Sequence, residues 1–174
     1  MIRKKLISQT TASLLNAAGI TQAPVDVKGL AKLQGAIVVE EPNKDETSGF
    51  LYQVPGSPAV IGVNANHHPN RKRFTVAHEL GHLVLHTKTG VHVDHAIVKM
   101  RDARASEGTD EDEMEANRFA AELLMPSAFL QADLQFLGSI SADDEKAIKE
   151  LAGKYGVSNQ AMAFRLSSLG LISM

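Results

Sequence analysis

The chain has 174 residues, a formal net charge of −2 and 44% apolar residues, which is typical of one globular domain with at most a small appendage. It contains no cysteine, which excludes disulfides and thiolate metal sites, so any metal must take nitrogen and oxygen ligands. Basic residues are not in excess and no apolar run reaches membrane length, so the sequence favours a cytoplasmic protein and argues against membrane insertion and direct nucleic-acid binding.

Apolar periodicity predicts two helices and then three strands in the N-terminal part. The helices cover about residues 4–18 and 25–33, and Gly19 and Gly35 close them. Short apolar stretches between Pro, Asn, Gly and Ser clusters predict the strands of a small sheet. These stretches are Ala36–Glu40, Gly49–Val54 and Ala59–Val63, and the last two are expected to form a hairpin.

Two further helices are predicted in the middle of the chain. The first runs from about Pro69 to His86, and the second runs from about Asp110 to Met125, where Pro126 stops it. The polar segment His92–Gly108 between them predicts a loop over a functional site. Beyond Pro126, helical patterns occur around Asp143–Lys154 and Asn159–Leu169.

The first of these helices contains the motif His78-Glu79-x-x-His82. Residues at i and i+4 lie on one helical face, so both imidazoles can converge on a single ion. Glu79 is turned about 100° from His78 around the helix axis, which sets it beside the ion. The spacing therefore predicts a metal centre held by His78 and His82, with Glu79 as the general base.

A third histidine ligand of the metzincin type is excluded, because its two required positions are occupied by Leu85 and Lys88. His86 lies one turn further along the face of His82, too far along the axis to share the ion. It is expected to cap or pack the helix end.

The acidic helix that follows offers a better third ligand. Its first carboxylates, at positions 110–112, suit the positive end of a helix dipole. Glu113 has Asn117 one turn later on the same face, where Asn117 could accept a hydrogen bond from the free ring N–H of a ligating histidine. Glu115 points roughly 160° away from Glu113, so only one of them can face the ion. Glu113 is favoured, and Glu115 is the alternative metal ligand.

Two histidines, one glutamate and an open fourth position are typical of catalytic zinc, whereas structural zinc sites are closed by four protein ligands. The sequence therefore predicts a zinc-dependent endopeptidase. Glu79 is expected to take a proton from the attacking water and return it to the leaving amine.

Two segments, Arg73–His82 and Glu113–Pro126, closely resemble the ImmA/IrrE family of metallo-endopeptidases. In the second segment, Glu-x-x-Ala-Asn is similar to the gluzincin arrangement in which the first glutamate, here Glu113, is the ligand. The resemblance implies an α+β fold of the minimal gluzincin type, with a short sheet over the motif helix. Residues 1–126 are then the zinc metallopeptidase-like domain, and residues 127–174 a helical segment packed on or docked beside it.

The same resemblance implies a protein substrate. Members of the family typically cleave helix-turn-helix repressors, so a repressor or antitoxin is the expected partner and relief of repression the expected outcome. The alternative is a toxin component or metal-binding partner that binds a helix-turn-helix protein without cleaving it. We expect an extended substrate segment to pair with an edge strand of the sheet, within Gly49–Val54 or Ala59–Val63.

The C-terminal segment Leu151–Leu166 itself resembles a helix-turn-helix, with Gly156 at the turn. Phosphate contacts dominate DNA affinity, and its second helix carries only one basic residue, Arg165. The segment is therefore expected to pack against the rest of the chain or to dock a partner.

Overall fold

The computed structural model describes residues 2–43, 47–86, 90–94, 107–137, 140–141 and 143–173. The described elements comprise seven helices and six strands, and their order confirms the predicted α+β class. They are α1 Lys4–Ala17, α2 Val27–Leu33, β1 Ala36–Glu41, β2 Gly49–Gln53, β3 Ala59–Asn64, α3 Pro69–Leu85, β4 Gly90–Asp94, α4 Glu107–Leu124, α5 Ser127–Leu137, β5 Ile140–Ser141, α6 Glu145–Tyr155, α7 Asn159–Ser168 and β6 Ile172–Ser173.

Four strands form the main sheet in the order β1-β3-β2-β4. The predicted hairpin of β2 and β3 is confirmed, since the two strands pair antiparallel with Leu51 opposite Ile61. β1 joins β3 in parallel, and β4 joins β2 antiparallel. β2 and β3 are therefore interior strands, and the expectation that one of them offers an edge to a substrate is wrong.

One other expectation about the elements needs correction, and one helix was missed. The segment predicted as a loop, His92–Gly108, begins within β4 and ends within α4, while its residues 95–106 lie outside the described part of the chain. β4 has only five residues and is stabilised by pairing with β2. The polarity of its own sequence therefore did not indicate a strand. α5 was not predicted, although it follows directly after the proline that ends α4.

The sheet lies against α3, and a glycine makes the contact close. A Cβ atom on Gly49 of β2 would clash with the side chain of Thr75 on α3 and with the backbone oxygen of Gly62 on β3. The same atom would lie 3.7 Å from Oε1 of Glu79. The start of β2 is thus held directly beside the motif helix.

α4 packs against α3 on its other side, again at a glycine. A Cβ on Gly81 would lie 2.9 Å from Cδ1 of Phe119 and 3.2 Å from Cα of Ala116. Such distances are too short for an ordinary side chain, so Gly81 lets the two helices approach closely at the level of the motif.

The C-terminal helices α6 and α7 are joined by a tight turn, as the sequence predicts. α6 ends at Gly156 in the left-handed conformation (φ 65°), and Ser158 caps α7 through its side chain. This turn is fastened to α3: Arg73 Nε donates to the Gly156 oxygen at 3.2 Å, and Asn70 Nδ2 donates to the Val157 oxygen at 2.9 Å.

Arg165 is buried in the interface between α7 and α4. Its Nη2 donates to Glu122 Oε2 at 2.8 Å, and its Nε donates to the Met125 oxygen at 3.0 Å. The basic residue that a DNA-binding reading would need on α7 is therefore engaged inside the protein, which favours the packing interpretation of this segment.

One hydrophobic core includes residues from α1 to α7, from Ile7 through Leu80 to Leu166. The division into residues 1–126 and 127–174 stays a prediction. Within the described residues, no helix combines the length and apolar character needed to cross a membrane.

Candidate metal centre

The motif histidines are held on the inner face of α3. The helix begins at Pro69, which suits a first helical position, and the His68 side chain caps it by accepting from the Asn70 backbone N–H. His78 and His82, at 2% and 5% exposure, are buried, and both rings face Glu113 of α4. Their burial restricts their rotamers, so the ring positions are set by packing.

Three predicted ligands converge at one point. The Nε2 atoms of His78 and His82 are 3.1 Å apart. Glu113 reaches both from α4, with Oε2 at 3.2 Å from His78 Nε2 and Oε1 at 3.2 Å from His82 Nε2. The structure thus brings together the three residues that the sequence predicted as ligands.

These separations fit a small tetrahedral metal ion. Two ligand atoms that are each about 2.0–2.1 Å from a tetrahedral zinc lie roughly 3.3–3.4 Å apart. The observed nitrogen–nitrogen and nitrogen–oxygen distances of 3.1–3.2 Å come close to that value. Among the described residues, the group able to hold an ion here has these three members, which corresponds to the ligand count of a catalytic zinc site.

Glu79 is fully buried beside this group. It follows His78 directly on α3, so its carboxylate leaves the helix about 100° away from the ligand. The start of β2 lies close to it, since a Cβ atom built on Gly49 would be 3.7 Å from Oε1. Its place beside the ligands, and not among them, is the one expected for a proton acceptor.

Glu115 has surroundings that differ from those of Glu113. Arg3 binds its carboxylate with a fork of hydrogen bonds, from Nε at 3.0 Å to Oε1 and from Nη2 at 2.5 Å to Oε2. The Arg3 side chain lowers the pKa of Glu115 to about 2, against the opposing effect of burial. The structure therefore turns Glu115 away from His78 and His82, in line with the preference for Glu113.

Asn117 is exposed on α4, and its role beside a ligating histidine stays a prediction. The second nitrogen of His78, Nδ1, is buried with no hydrogen-bond partner among the described residues. By contrast, the second nitrogen of His82 has a partner that the sequence reasoning did not assign, His86. The only sequence signal for it is the i+4 spacing from His82.

A cavity of about 530 Å³ opens one helical turn before His78. It lies between the first part of α3 and the turn before α7, and its lining includes Phe74, Met125 and Val157. The ring centroid of Phe74 is 6.2 Å from that of His78. Space for a bound side chain therefore exists beside Phe74, one helical turn from His78.

The family model for peptidase M78, described as the IrrE N-terminal-like domain, matches residues 31–167. The chain belongs to this family. The suspected ImmA/IrrE membership is thereby confirmed. As a member of the M78 family, the chain is a metallopeptidase-like domain, and its group of His78, His82 and Glu113 is able to hold a metal ion.

A solved structure, a Mycobacterium tuberculosis transcriptional regulator, is similar to this M78 domain with a TM-score of 0.61 and 22% sequence identity. The similarity covers 92% of this chain and 46% of the regulator, so the chain spans less than half of that protein's length. At this identity the likeness concerns the fold alone. No curated protein matches the chain significantly.

Proposed function

We propose that this M78 domain is a zinc-dependent endopeptidase whose metal is held by His78, His82 and Glu113. The observation that carries the proposal is the convergence of their ligand atoms at 3.1–3.2 Å, with the buried carboxylate of Glu79 alongside. A zinc ion there supplies Lewis-acid chemistry, which acidifies water and stabilises negative charge on a carbonyl oxygen.

The chain's own residues then have separate tasks. Glu79 accepts a proton from the water that attacks the peptide carbonyl and delivers it to the leaving amine. Its burial keeps the carboxylate beside the reacting atoms, and a rigid helix fixes the distance to the ligands. The cavity next to Phe74 accepts a side chain of the substrate on one side of the cleaved bond.

The substrate pairs with β4 in this proposal. β4 is the outermost described strand on the side of β2. Its Asp94 is paired with Gly49, which lies close to Glu79 in space. A peptide added to that edge is held by main-chain hydrogen bonds, which demand little from its sequence. β1, at the other edge, is separated from Gly49 by β3.

We propose a helix-turn-helix repressor or antitoxin as the protein that is cut. Family membership supports a protein substrate, and the structural neighbour that shares the fold is itself named a transcriptional regulator. The cleaved segment must leave its own fold to become extended, so it has to lie in a part of the substrate that unfolds locally.

The deciding experiment mixes a helix-turn-helix protein encoded beside this chain with wild type, Glu79→Gln and Glu150→Gln in the presence of Zn²⁺. Fragment masses report cleavage, and co-migration reports binding. We expect Glu79→Gln to keep zinc and binding but to cleave about 10²–10⁴-fold more slowly, which is the usual contribution of a general base. Glu150 is exposed on α6, so the same change there should leave the rate unaltered.

Two results would contradict the proposal. Cleavage by Glu79→Gln at the wild-type rate would remove the general-base role. Tight binding by wild type without cleavage under any condition would favour the alternative, a metal-binding partner that holds the helix-turn-helix protein intact.

A further inference from the structure

A second cluster of charged and polar side chains lies one helical turn beyond the proposed metal ligands. It consists of the buried His86 at the end of α3 and the buried Glu115 on α4, together with the half-buried Asp112 on α4 and the exposed Arg3 just before α1. His86 touches both groups: its Nδ1 is 3.2 Å from Nδ1 of His82, and its Nε2 is 3.1 Å from Oε2 of Glu115. The two clusters are therefore joined through one ring.

The positions of the hydrogen atoms in this series of contacts follow from His82, the proposed metal ligand at one end. If His82 binds the ion through Nε2, its ring must carry the proton on Nδ1. For that N–H to donate to His86, the Nδ1 atom of His86 must be unprotonated. His86 therefore carries its own proton on Nε2. This second N–H donates to Glu115, with Asp112 Oδ1 also near at 3.4 Å.

At the other end of the series, Arg3 binds the Glu115 carboxylate. Its backbone N–H donates to Glu115 Oε1 at 2.8 Å, and its guanidinium donates to both carboxylate oxygens. Glu115 is thereby kept as an ionised acceptor in a fixed orientation. Arg3 lies outside the residues that the family model matches, so this anchor comes from the N-terminal segment of this chain.

A second metal site in the same cluster is the competing interpretation. A cation bound by His86, Asp112 and Glu115 would have to compete for a Glu115 oxygen with the Arg3 guanidinium, which donates to both oxygens. It would also have to lie beside that positive group. The contacts therefore favour a relay of hydrogen bonds that runs from His82 through His86 and Glu115 to Arg3.

We propose that His86, Glu115 and Arg3 are positioning residues that fix the ring orientation and tautomer of His82 for metal binding. The inference rests on the proposed function, because it takes His82 as a ligand. A partner on the second nitrogen of a ligating histidine raises the basicity of the ring and holds it in place, and its loss typically costs about 10–100-fold in metal affinity.

The first test measures Zn²⁺ affinity by competition with a chelator for wild type, His86→Phe and His68→Phe. Phenylalanine keeps a planar ring of similar size at position 86 but removes both hydrogen bonds. His68 is exposed at the opposite end of the same helix, so it controls for a general loss of helix stability. We expect His86→Phe to bind zinc about 10–100-fold more weakly with one ion per chain, and His68→Phe to match wild type.

The second test reads the tautomers directly, by nitrogen-15 NMR of the histidine rings in the zinc-loaded chain. We expect the proton on Nδ1 of His82 and on Nε2 of His86. Glu115→Gln keeps an acceptor oxygen but removes the charge, so it should weaken zinc binding less than His86→Phe does. This variant also tests the relay if His86→Phe does not fold.

The outcomes separate the relay from the proposed function. Wild-type zinc affinity in both His86→Phe and Glu115→Gln, or a proton on Nδ1 of His86, overturns the relay while leaving the peptidase intact. Two ions per chain, with the second lost in His86→Phe, would replace the relay by a second metal site. Failure of the wild type to bind zinc would overturn the proposed function itself.

Discussion

Glu113 and Glu115 are separated by one residue on α4 and have opposite surroundings. A helix turns about 100° per residue, so their side chains leave α4 in different directions. Glu113 reaches the two histidine nitrogens, whereas Glu115 is enclosed by Arg3 and His86. One carboxylate is thus available to an ion, and the other holds the structure around it.

This division predicts the order of two variants in metal binding. Glu113→Ala removes a proposed ligand, so its loss of zinc affinity should exceed the about 10–100-fold expected when Glu115→Ala removes an outer hydrogen-bond partner. Chelator competition at pH 7 gives both values, with circular dichroism as the check that each variant is folded. If Glu115→Ala proved the weaker binder of the two, the ligand role would pass to Glu115.

The sequence was sufficient to predict the relative placement of residues that lie close together along one helix. The spacing of His78 and His82 predicts their shared face, and the helical angle between Glu113 and Glu115 predicts that one of them turns away. The bond from Arg3 to Glu115 joins residues 112 positions apart, and no local pattern encodes such a contact. The same holds for His86, whose neighbours depend on how α4 packs on α3.

Among the elements, β1 is tied to two helices through one carboxylate. Glu40 on β1 forms ion pairs with Lys28 of α2 and with Lys72 of α3, the latter at 2.7 Å. The hydrogen bonds from these two lysines lower the pKa of Glu40 from 4.5 to about 2. Glu40 therefore stabilises the fold only while it is ionised.

The pH dependence follows from the sign of that shift. A lowered pKa in the folded state gives stability that is fully present above the unfolded value of 4.5 and is lost as the pH falls toward about 2. We expect Glu40→Gln to lower the free energy of unfolding by about 1 kcal/mol at pH 7, since partly exposed ion pairs contribute about 0.2–1 kcal/mol each. The difference from wild type should shrink between pH 4.5 and 2.

Urea denaturation at several pH values measures this difference. Glu41→Gln is the matched control, because Glu41 is the exposed next residue on the same strand. A Glu40→Gln difference that stayed constant from pH 7 to pH 2 would show that the ion pairs do not stabilise the fold.

The predicted elements are correct where hydrophobic periodicity and turn signals agree. The prediction failed where an element depends on pairing between strands. The helix of the motif begins at Pro69 as its sequence suggests, and β2 and β3 pair as a hairpin. β4 exists because β2 offers it a partner, and this pairing makes β2 an interior strand, whereas the crossover of β1 to β3 makes β3 one. Strand order is a property of the sheet as a whole, so the edge available to a substrate could not be predicted from the strand sequences.

At the scale of the whole molecule, the C-terminal helices pack against and support the two helices that carry the candidate metal centre. Arg73 and Asn70 of α3 hold the turn before α7. Tyr155, fully buried at the end of α6, donates to Asp133 on α5 at 2.8 Å, and burial together with that carboxylate raises the pKa of Tyr155. A helix-turn-helix pattern in the sequence thus corresponds to a packed support.

The final prediction concerns Arg165, whose ion pair with Glu122 links α7 to α4. Both side chains are mostly buried, at 6% and 12% exposure, and removing one partner of a buried pair typically costs about 3–5 kcal/mol. We expect Arg165→Ala to lower the free energy of unfolding by that amount. Arg118→Ala, which removes an exposed arginine from α4, should change it by less than about 0.5 kcal/mol.

The form of the transition shows whether the C-terminal segment is a separate unit. The core is continuous from α1 to α7, so urea denaturation of Arg165→Ala should remain one cooperative step that removes zinc binding and helicity together. Replacing both partners, as Arg165→Leu with Glu122→Leu, should recover much of the lost stability, because no buried charge is then left unpaired. Two separate transitions, with zinc retained after the first, would instead establish residues 127–174 as an independent unit beside residues 1–126.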